Sequence, residues 1–127
     1  MLHVTCALIE RDGLLLAAQR RPDQANANQW EFPGGKVEPG ESHAQCLHRE
    51  ICEELGGTIE ILASLPPLDH HYAARNLSLQ LWPFRCRWLR GEPQLLDHQA
   101  LRWLPPARLF ELDWSEADRR LVAREFG

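Results

Sequence analysis

Acidic side chains are concentrated between residues 30 and 57, where a Gly- and Pro-containing loop leads into a predicted helix. Glu50, Glu53 and Glu54 stand three and four positions apart, so a helix would present them as neighbours on one surface. Glu41 stands just before that helix. Like charges at this spacing destabilise an isolated helix by about 0.2–0.5 kcal/mol per pair. The cluster therefore predicts a bound cation, and Mg²⁺ prefers such oxygen ligands, shared with water and substrate phosphates.

The sequence indicates where the predicted helix begins, where it ends and which of its sides is buried. Ser42, followed three residues later by Gln45, has the pattern of a capping box, and Gly56 would end the helix. Arg49 lies four residues before Glu53, so this pair could orient a carboxylate or be a surface ion pair of little energetic value. The apolar stripe at helical spacing consists of Ala44, Leu47, Ile51 and Leu55.

Apolar and alternating segments on both sides of this helix predict a sheet. The predicted strands are residues 3–10, 14–19, 30–33, 58–65, 77–82 with 84–89, and 100–104. Asp12-Gly13 is a hairpin signal, whereas Pro83 suggests an edge strand or a bulge. Ser115 would cap a last helix that ends at Phe126. This order predicts one α/β domain over residues 1–127, with Gly34 and Gly35 in a loop where a carbonyl could face a metal.

The composition restricts the possible partners. A net charge of −4 gives no basic surface for long nucleic acid, although a metal could join an acidic site to a nucleotide. The N-terminus has no signal-peptide pattern and no segment approaches a membrane span, so we expect a cytoplasmic protein with no membrane partner. The cysteines, at positions 6, 46, 52 and 86, form no CxxC pair and are interpreted as small, partly buried thiols. His70 and His71 are adjacent and would point to opposite faces of a strand, which disfavours joint chelation.

Gly35, Glu41 and the run from Arg49 to Gly56 match the pattern GX5EX7REUXEEXGU, in which U is aliphatic. This segment resembles the Nudix box, and every fixed position is occupied. The last U position holds Gly57, which we expect to weaken one packing contact rather than the chemistry. The preceding WEFPGGK is similar to the MutT branch, which sanitises nucleotide pools, and to bacterial pyrophosphohydrolases of cytidine nucleotides. The resemblance covers most of the chain.

The resemblance implies an α/β/α sandwich with a mixed sheet, and attack of water on a nucleoside triphosphate to release a monophosphate and pyrophosphate. It implies Mg²⁺, with Mn²⁺ as an alternative. The implied metal ligands are the Gly34 carbonyl and the carboxylates of Glu50, Glu53 and Glu54. Glu50 or Glu53 would also activate water, with Glu50 slightly favoured, and Arg49 would orient the cluster. Glu41 would support the cluster or bind a second metal.

Five further positions carry implied roles outside this cluster. Asp97 aligns with a glutamate that binds metal or acts as a base in relatives, although a loop aspartate that starts a turn stays an alternative. Arg20 would contact phosphate, and Glu31 and Phe32 would line the nucleotide side. Asp118 falls where MutT relatives place an asparagine that reads the oxidised purine. An ionised aspartate only accepts hydrogen bonds, so the base specificity stays open.

Three functions are therefore compared. The first is hydrolysis of 8-oxo-dGTP or another modified nucleoside triphosphate, and the second is hydrolysis of CTP or dCTP. The third is a nucleotide-binding module without turnover, against which the intact glutamate cluster argues. The sequence is compatible with a monomer or a homodimer.

Overall fold

The fold is built on one mixed β-sheet with an α-helix packed against each face. The computed structural model describes residues 1–127. The strands are β1 (Leu2–Arg11), β2 (Leu14–Gln19), β3 (Trp30–Glu31), β4 (Gly34–Lys36), β5 (Ile59–Ser64), β6 (Leu68–Tyr72), β7 (Leu77–Trp88) and β8 (Ala100–Leu104). The helices are α1 (His43–Leu55) and α2 (Glu116–Phe126), and short 3₁₀ helices span Ala73–Arg75 and Pro106–Glu111. Neither α-helix is long and apolar enough to cross a membrane.

Strand β1 is the centre of the sheet. It pairs in parallel with β7 and antiparallel with β2 and β4. β2 continues the sheet to β3 and β8, and β7 continues it to β5 and β6. The β1–β2 turn places Asp12 and Gly13 at φ angles of 52° and 77°, as the Asp-Gly signal predicts.

Alternate residues of β1 serve two separate cores, which explains why both of its faces are apolar. Ala7 and Ile9 point toward α1, whereas Cys6 and Leu8 point toward α2. The core on the α1 side includes Leu16, Leu47, Ile51, Leu55 and Trp88. The core on the α2 side includes Phe32, Tyr72, Leu81, Trp114 and Leu121. The predicted α/β/α sandwich with a mixed sheet is therefore confirmed.

Pro83 lies inside a central strand, so the edge strand, one of the two predicted alternatives, is wrong. The register shift nearest to it lies in β5, between Ile61 and Ala63. β7 continues through Pro83, because the strand pairs with β6 before this proline and with β5 after it. Leu81 is the last residue paired with β6, and Phe84 is the first paired with β5. The Pro83 carbonyl accepts a hydrogen bond from the Leu65 N–H at 2.9 Å. At the point where β7 changes from β6 to β5, no backbone N–H donor is needed at position 83, so the strand tolerates a proline there.

Helix α1 begins and ends as predicted, but its buried side differs by one residue. The Ser42–Gln45 capping box is present, and Gly56 ends the helix in the left-handed conformation with φ 68°. Ala44 is exposed, which corrects the predicted stripe. Cys46 is buried in its place and lies 3.3 Å from the hydroxyl of Thr5. This contact ties the first turns of the helix to β1.

Packing around Gly57 is not weakened in the way that the sequence predicts. A Cβ atom at this position would lie 2.4 Å from the indole ring of Trp88. Trp88 is buried, and its ring fills the space that an aliphatic side chain would occupy. The expectation of a lost packing contact is therefore wrong, because a residue from a distant strand restores it.

Candidate active site

The glutamates of α1 lie beside β4, the short strand that carries two glycines. The sequence suggests a loop at Gly34 and Gly35, but both residues pair with β1. A Cβ atom on Gly34 would lie 2.0 Å from the carbonyl oxygen of Thr5, so only glycine permits this approach. A Cβ atom on Gly35 would lie 2.3 Å from Cδ of Glu50. The Glu50 carboxylate therefore lies directly over the backbone of β4.

Arg49 joins three of the predicted carboxylates. Its Nε and Nη2 donate to the two oxygens of Glu41 at 2.7 and 3.0 Å. Its Nη1 donates to Glu50 at 2.8 Å and to Glu53 at 3.3 Å. Arg49 therefore belongs to a network that orients carboxylates and is not an isolated surface pair with Glu53. These hydrogen bonds lower the pKa of Glu41 to about 2 and raise the pKa of Arg49.

Glu54 is the most buried carboxylate of the cluster, with a side chain that is 8% exposed. Its Oε2 accepts a hydrogen bond from the Gly34 N–H at 3.0 Å. Burial, and then the negative charges of Glu31 and Glu50, raise the pKa of Glu54 well above its usual value. Burial also raises the pKa of Glu50, against the opposing effect of Arg49. A bound cation would relieve both effects, because it stabilises the charged carboxylates.

The residues present fit a hard divalent cation. The carboxylates that meet here belong to Glu31, Glu41, Glu50, Glu53, Glu54 and Asp97, and the guanidinium groups to Arg20, Arg21 and Arg49. This surplus of carboxylate oxygens is the ligand chemistry that Mg²⁺ and Mn²⁺ take. Glu53 is the most accessible of the helix glutamates, at 59% exposure. The Gly34 N–H points to Glu54, and a ligand role for the Gly34 carbonyl stays a prediction.

Asp97 reaches the cluster because its loop is anchored on the C-terminal end of α1. The N–H groups of Gln94 and Leu96 donate to the carbonyls of Leu55 and Glu54, at 2.8 and 3.3 Å. These bonds satisfy two carbonyls that a helix end would otherwise leave free. The charge of Asp97 contributes to the raised pKa values of the neighbouring glutamates. The structure therefore brings Asp97 next to the glutamates, whereas its role as ligand or base stays a prediction.

Arg20 and Glu31 form an ion pair on the other side of Glu54. Nη1 of Arg20 lies 3.2 and 3.3 Å from the two Glu31 oxygens, and its Nε donates to the Ala25 carbonyl. His98 contacts the same carboxylate, with Nε2 2.9 Å from Glu31 Oε2. His98 follows Asp97 but carries no recognisable signal in the sequence, because a histidine beside one carboxylate has no diagnostic spacing. Glu31, Glu54 and His98 place three potential ligand atoms within 4.8 Å of one another.

Phe32 and Asp118 are linked by a backbone-to-side-chain hydrogen bond, and the Phe32 ring does not lie on a binding surface. The Phe32 ring is 2% exposed and packs on Trp114 with ring centroids 4.7 Å apart. This places the ring in the core, so it offers no side-chain contact to a ligand, unlike the preceding Glu31. The Phe32 N–H donates to Asp118 Oδ1 at 3.0 Å. Ser115 takes the predicted capping position, but its hydroxyl donates to Asp118 Oδ2 at 2.6 Å instead of accepting from a helix N–H.

A cleft of about 190 Å³ connects these groups. Glu31, Glu54 and Asp118 line it together with apolar residues such as Leu79. Burial, and then the charge of Glu31, raise the pKa of Asp118 to about 7. The arrangement therefore places carboxylates suited to a cation next to an apolar wall with one polar group, which is the usual form of a small-molecule site.

Together with the family match that follows, the fold defines a hydrolase that acts on phosphoanhydride bonds. The family model described as NUDIX domain matches residues 1–125. The chain belongs to the Nudix hydrolase family.

Relatives of known structure or name agree with this assignment. The chain is 39% identical over 120 residues to the Mycobacterium tuberculosis protein named "Putative 8-oxo-dGTP diphosphatase 2", covering 94% of this chain and 84% of that protein. It is 38% identical over 122 residues to the CTP pyrophosphohydrolase of Escherichia coli, covering 96% and 89%. The crystal structure of the MutT NUDIX hydrolase from Burkholderia pseudomallei superposes with a TM-score of 0.87 at 30% identity, covering 98% and 97%.

Proposed function

We propose that this protein is a Mg²⁺-dependent nucleoside triphosphate pyrophosphohydrolase, which converts a nucleoside triphosphate and water into a monophosphate and pyrophosphate. The observation that carries the proposal is the surplus of carboxylates around Glu50 and Glu54, of which Glu54 is buried and lines a cleft. A nucleotide-binding module without turnover has no need for this arrangement. The three free thiols that are buried fit a reducing compartment such as the cytoplasm.

The proposed mechanism assigns one task to each part of the cluster. Glu50, Glu53 and Glu54, with the Gly34 carbonyl, would hold the Mg²⁺ ion, for which Mn²⁺ is an alternative. When bound, this ion neutralises phosphate charge and lowers the pKa of a coordinated water. Arg49 holds Glu50 and Glu53 in place before the substrate arrives, so little reorganisation is needed.

Glu50 is the proposed general base, because Arg49 holds its carboxylate in a fixed position over the backbone of β4. Glu53 and Asp97 are the alternatives for this step, and Asp97 is also an additional ligand candidate. Glu41 is assigned to the support of Arg49, given its two hydrogen bonds to that side chain. Arg20 would contact substrate phosphate after releasing part of its contact with Glu31.

The leading substrate is a modified nucleoside triphosphate such as 8-oxo-dGTP, in agreement with the name of the mycobacterial relative. CTP or dCTP is the second candidate, and Asp118 supports it. A carboxylate can accept a hydrogen bond from the exocyclic amino group of cytosine, and a carboxyl group with a pKa of about 7 can also donate to the ring nitrogen. A comparison of kcat/KM for canonical and oxidised triphosphates, with Mg²⁺ present, distinguishes the two. A preference for CTP or dCTP would exclude the first substrate.

Glu53→Gln tests the reaction itself. This change keeps the size of the side chain and removes a proposed metal carboxylate, so pyrophosphate release should fall by about 100-fold or more. Glu111→Gln is a matched control, because Glu111 is equally exposed at 55% and lies in a 3₁₀ helix outside the cluster. Unchanged turnover in Glu53→Gln, with the fold intact by circular dichroism, would contradict the assignment of this face of α1.

A further inference from the structure

His98 is a buried side chain that the proposed mechanism does not use. The imidazole is 1% exposed and lies between two carboxylates. Its Nε2 is 2.9 Å from Oε2 of Glu31 and 4.0 Å from Oε1 of Glu54. Its other nitrogen, Nδ1, is buried without a hydrogen-bond partner. Such a buried polar ring requires a specific reason for its position.

The contacts of His98 identify its hydrogen-bonding role. A neutral imidazole has one N–H donor and one acceptor nitrogen. Since the Glu31 carboxylate is an acceptor, the proton belongs on Nε2, which donates. A histidine that binds a metal almost always donates its second N–H to a carboxylate, carbonyl or water, and Nδ1 of His98 has no such protein partner. The geometry therefore fits a donor to Glu31 better than a metal ligand.

The backbone holds His98 firmly on both sides. Two residues before it, the Leu96 N–H donates to the Glu54 carbonyl at 3.3 Å. One residue after it, the Gln99 N–H donates to the Gln19 carbonyl at 3.0 Å. The backbone around His98 is therefore bonded to α1 on one side and to β2 on the other, and the buried imidazole has little free space around it.

Glu31 is held by a cation on one side and by His98 on the other. Arg20 contacts both of its oxygens, and His98 contacts Oε2. Without His98, the carboxylate would keep only Arg20, an arginine that the proposed mechanism requires for substrate phosphate. Glu31 would then be free to rotate toward solvent or toward Glu54.

We propose that His98 is a positioning residue for nucleotide recognition, which fixes the Glu31 carboxylate on the wall of the cleft and apart from the metal carboxylates. This inference rests on the proposed function, because it assigns Glu31 to substrate that the cleft binds. The fixed carboxylate would accept a hydrogen bond from an N–H group of the nucleobase. Because of His98, Glu31 binds the nucleobase while the neighbouring Glu54 binds the metal.

His98→Leu and His98→Gln test this role by the separate effects on KM and kcat. His98→Leu removes the donor, and we expect KM for the best triphosphate to rise about tenfold while kcat stays within about threefold. The side-chain amide of His98→Gln can donate to Glu31, so this variant should recover most of the affinity. His48→Leu is the matched control, because His48 is exposed on α1 and should leave both constants unchanged. An unchanged KM in His98→Leu would overturn the proposal.

Two further measurements separate this proposal from its alternatives. Mn²⁺ affinity, followed by electron paramagnetic resonance without nucleotide, should be the same in His98→Leu and wild type, and a loss there would make His98 a metal ligand instead. Glu31→Gln and the double variant with His98→Leu should raise KM by the same factor, since His98 acts through Glu31. Additive effects would overturn the proposal.

The proposed function can fail independently of His98. Absence of triphosphate hydrolysis by the wild type would refute the function. Calorimetric titration with a non-hydrolysable triphosphate analogue would then still report whether His98→Gln restores the binding that His98→Leu loses. If His98→Leu does not fold, the proposal is decided by His98→Gln, which must keep KM within about threefold of the wild type.

Discussion

Replacing Gly35 with alanine should separate activity from stability. The added Cβ would lie 2.3 Å from Cδ of Glu50 and 2.5 and 2.6 Å from its oxygens, whereas ordinary contact begins at 3.4 Å. The Glu50 carboxylate must therefore move by roughly 1 Å, and a misplacement of this size costs about 100-fold in rate when geometry is critical. Because Glu50 is the end of a flexible side chain, its adjustment should cost about 0.5–1.5 kcal/mol of unfolding free energy.

Gly57→Ala provides the contrasting control. Its Cβ would lie 2.4 Å from the ring of Trp88, which is buried, rigid and bonded through Nε1 to the Gly91 carbonyl at 2.9 Å. Overpacking against such a ring should cost about 1–3 kcal/mol of stability, while kcat per folded molecule stays near the wild-type value.

The assay for both glycine variants is pyrophosphate release under saturating Mg²⁺ and triphosphate, together with urea unfolding followed by circular dichroism. Gly35→Ala should lose turnover with a nearly unchanged midpoint, and Gly57→Ala should show the reverse. If Gly35→Ala kept its wild-type kcat, the position of the Glu50 carboxylate over β4 would not matter for the reaction. If both variants lost stability equally, the distinction between a flexible and a rigid neighbour would be wrong.

Two further predictions concern ionisation and metal. Asp118 has a pKa of about 7 in the folded state, whereas the pKa of an aspartate in an unfolded chain is 3.8. Between these two values the folded state binds more protons, so stability should fall as the pH rises through this window. Asp118→Asn removes this titrating group. The melting temperature of the variant minus that of the wild type, measured in EDTA from pH 5 to pH 8, should therefore increase with pH. A constant difference would refute the raised pKa of Asp118. Mg²⁺ at about 100 times its dissociation constant should stabilise the wild type by about 2.7 kcal/mol. Glu54→Gln should lose most of this shift in a thermal melt, and an equal shift would exclude Glu54 as a ligand.

The sequence alone was sufficient for features that depend on local spacing. The capping box at Ser42, the glycine end at Gly56 and the common face of Glu50, Glu53 and Glu54 follow from helix geometry. The order of predicted strands and helices was sufficient for the α/β class, whereas the α/β/α layers followed only from the family resemblance. The reaction class then depended on the resemblance of the same segment to the Nudix box.

Only the tertiary structure decided contacts between residues distant in the chain. Trp88 fills the space at Gly57, and Pro83 is tolerated in a central strand because its partners change there. No local pattern contains either fact. His98 contacts Glu31, which lies 67 positions away in the chain. Only packing determines whether the side chain of such a loop residue points into the protein or into solvent.

The acidic segment between residues 30 and 57 shows the same division. Its spacing determined that Glu50, Glu53 and Glu54 share one helix face, because a helix has 3.6 residues per turn. Folding decided how the acidic side chains differ: Glu41, which precedes the helix, pairs with Arg49, Glu54 is buried and bonded to the Gly34 N–H, and Glu53 stays exposed. Burial and neighbouring charge set the chemistry of each carboxylate, and both depend on the three-dimensional surroundings rather than on the order of the residues.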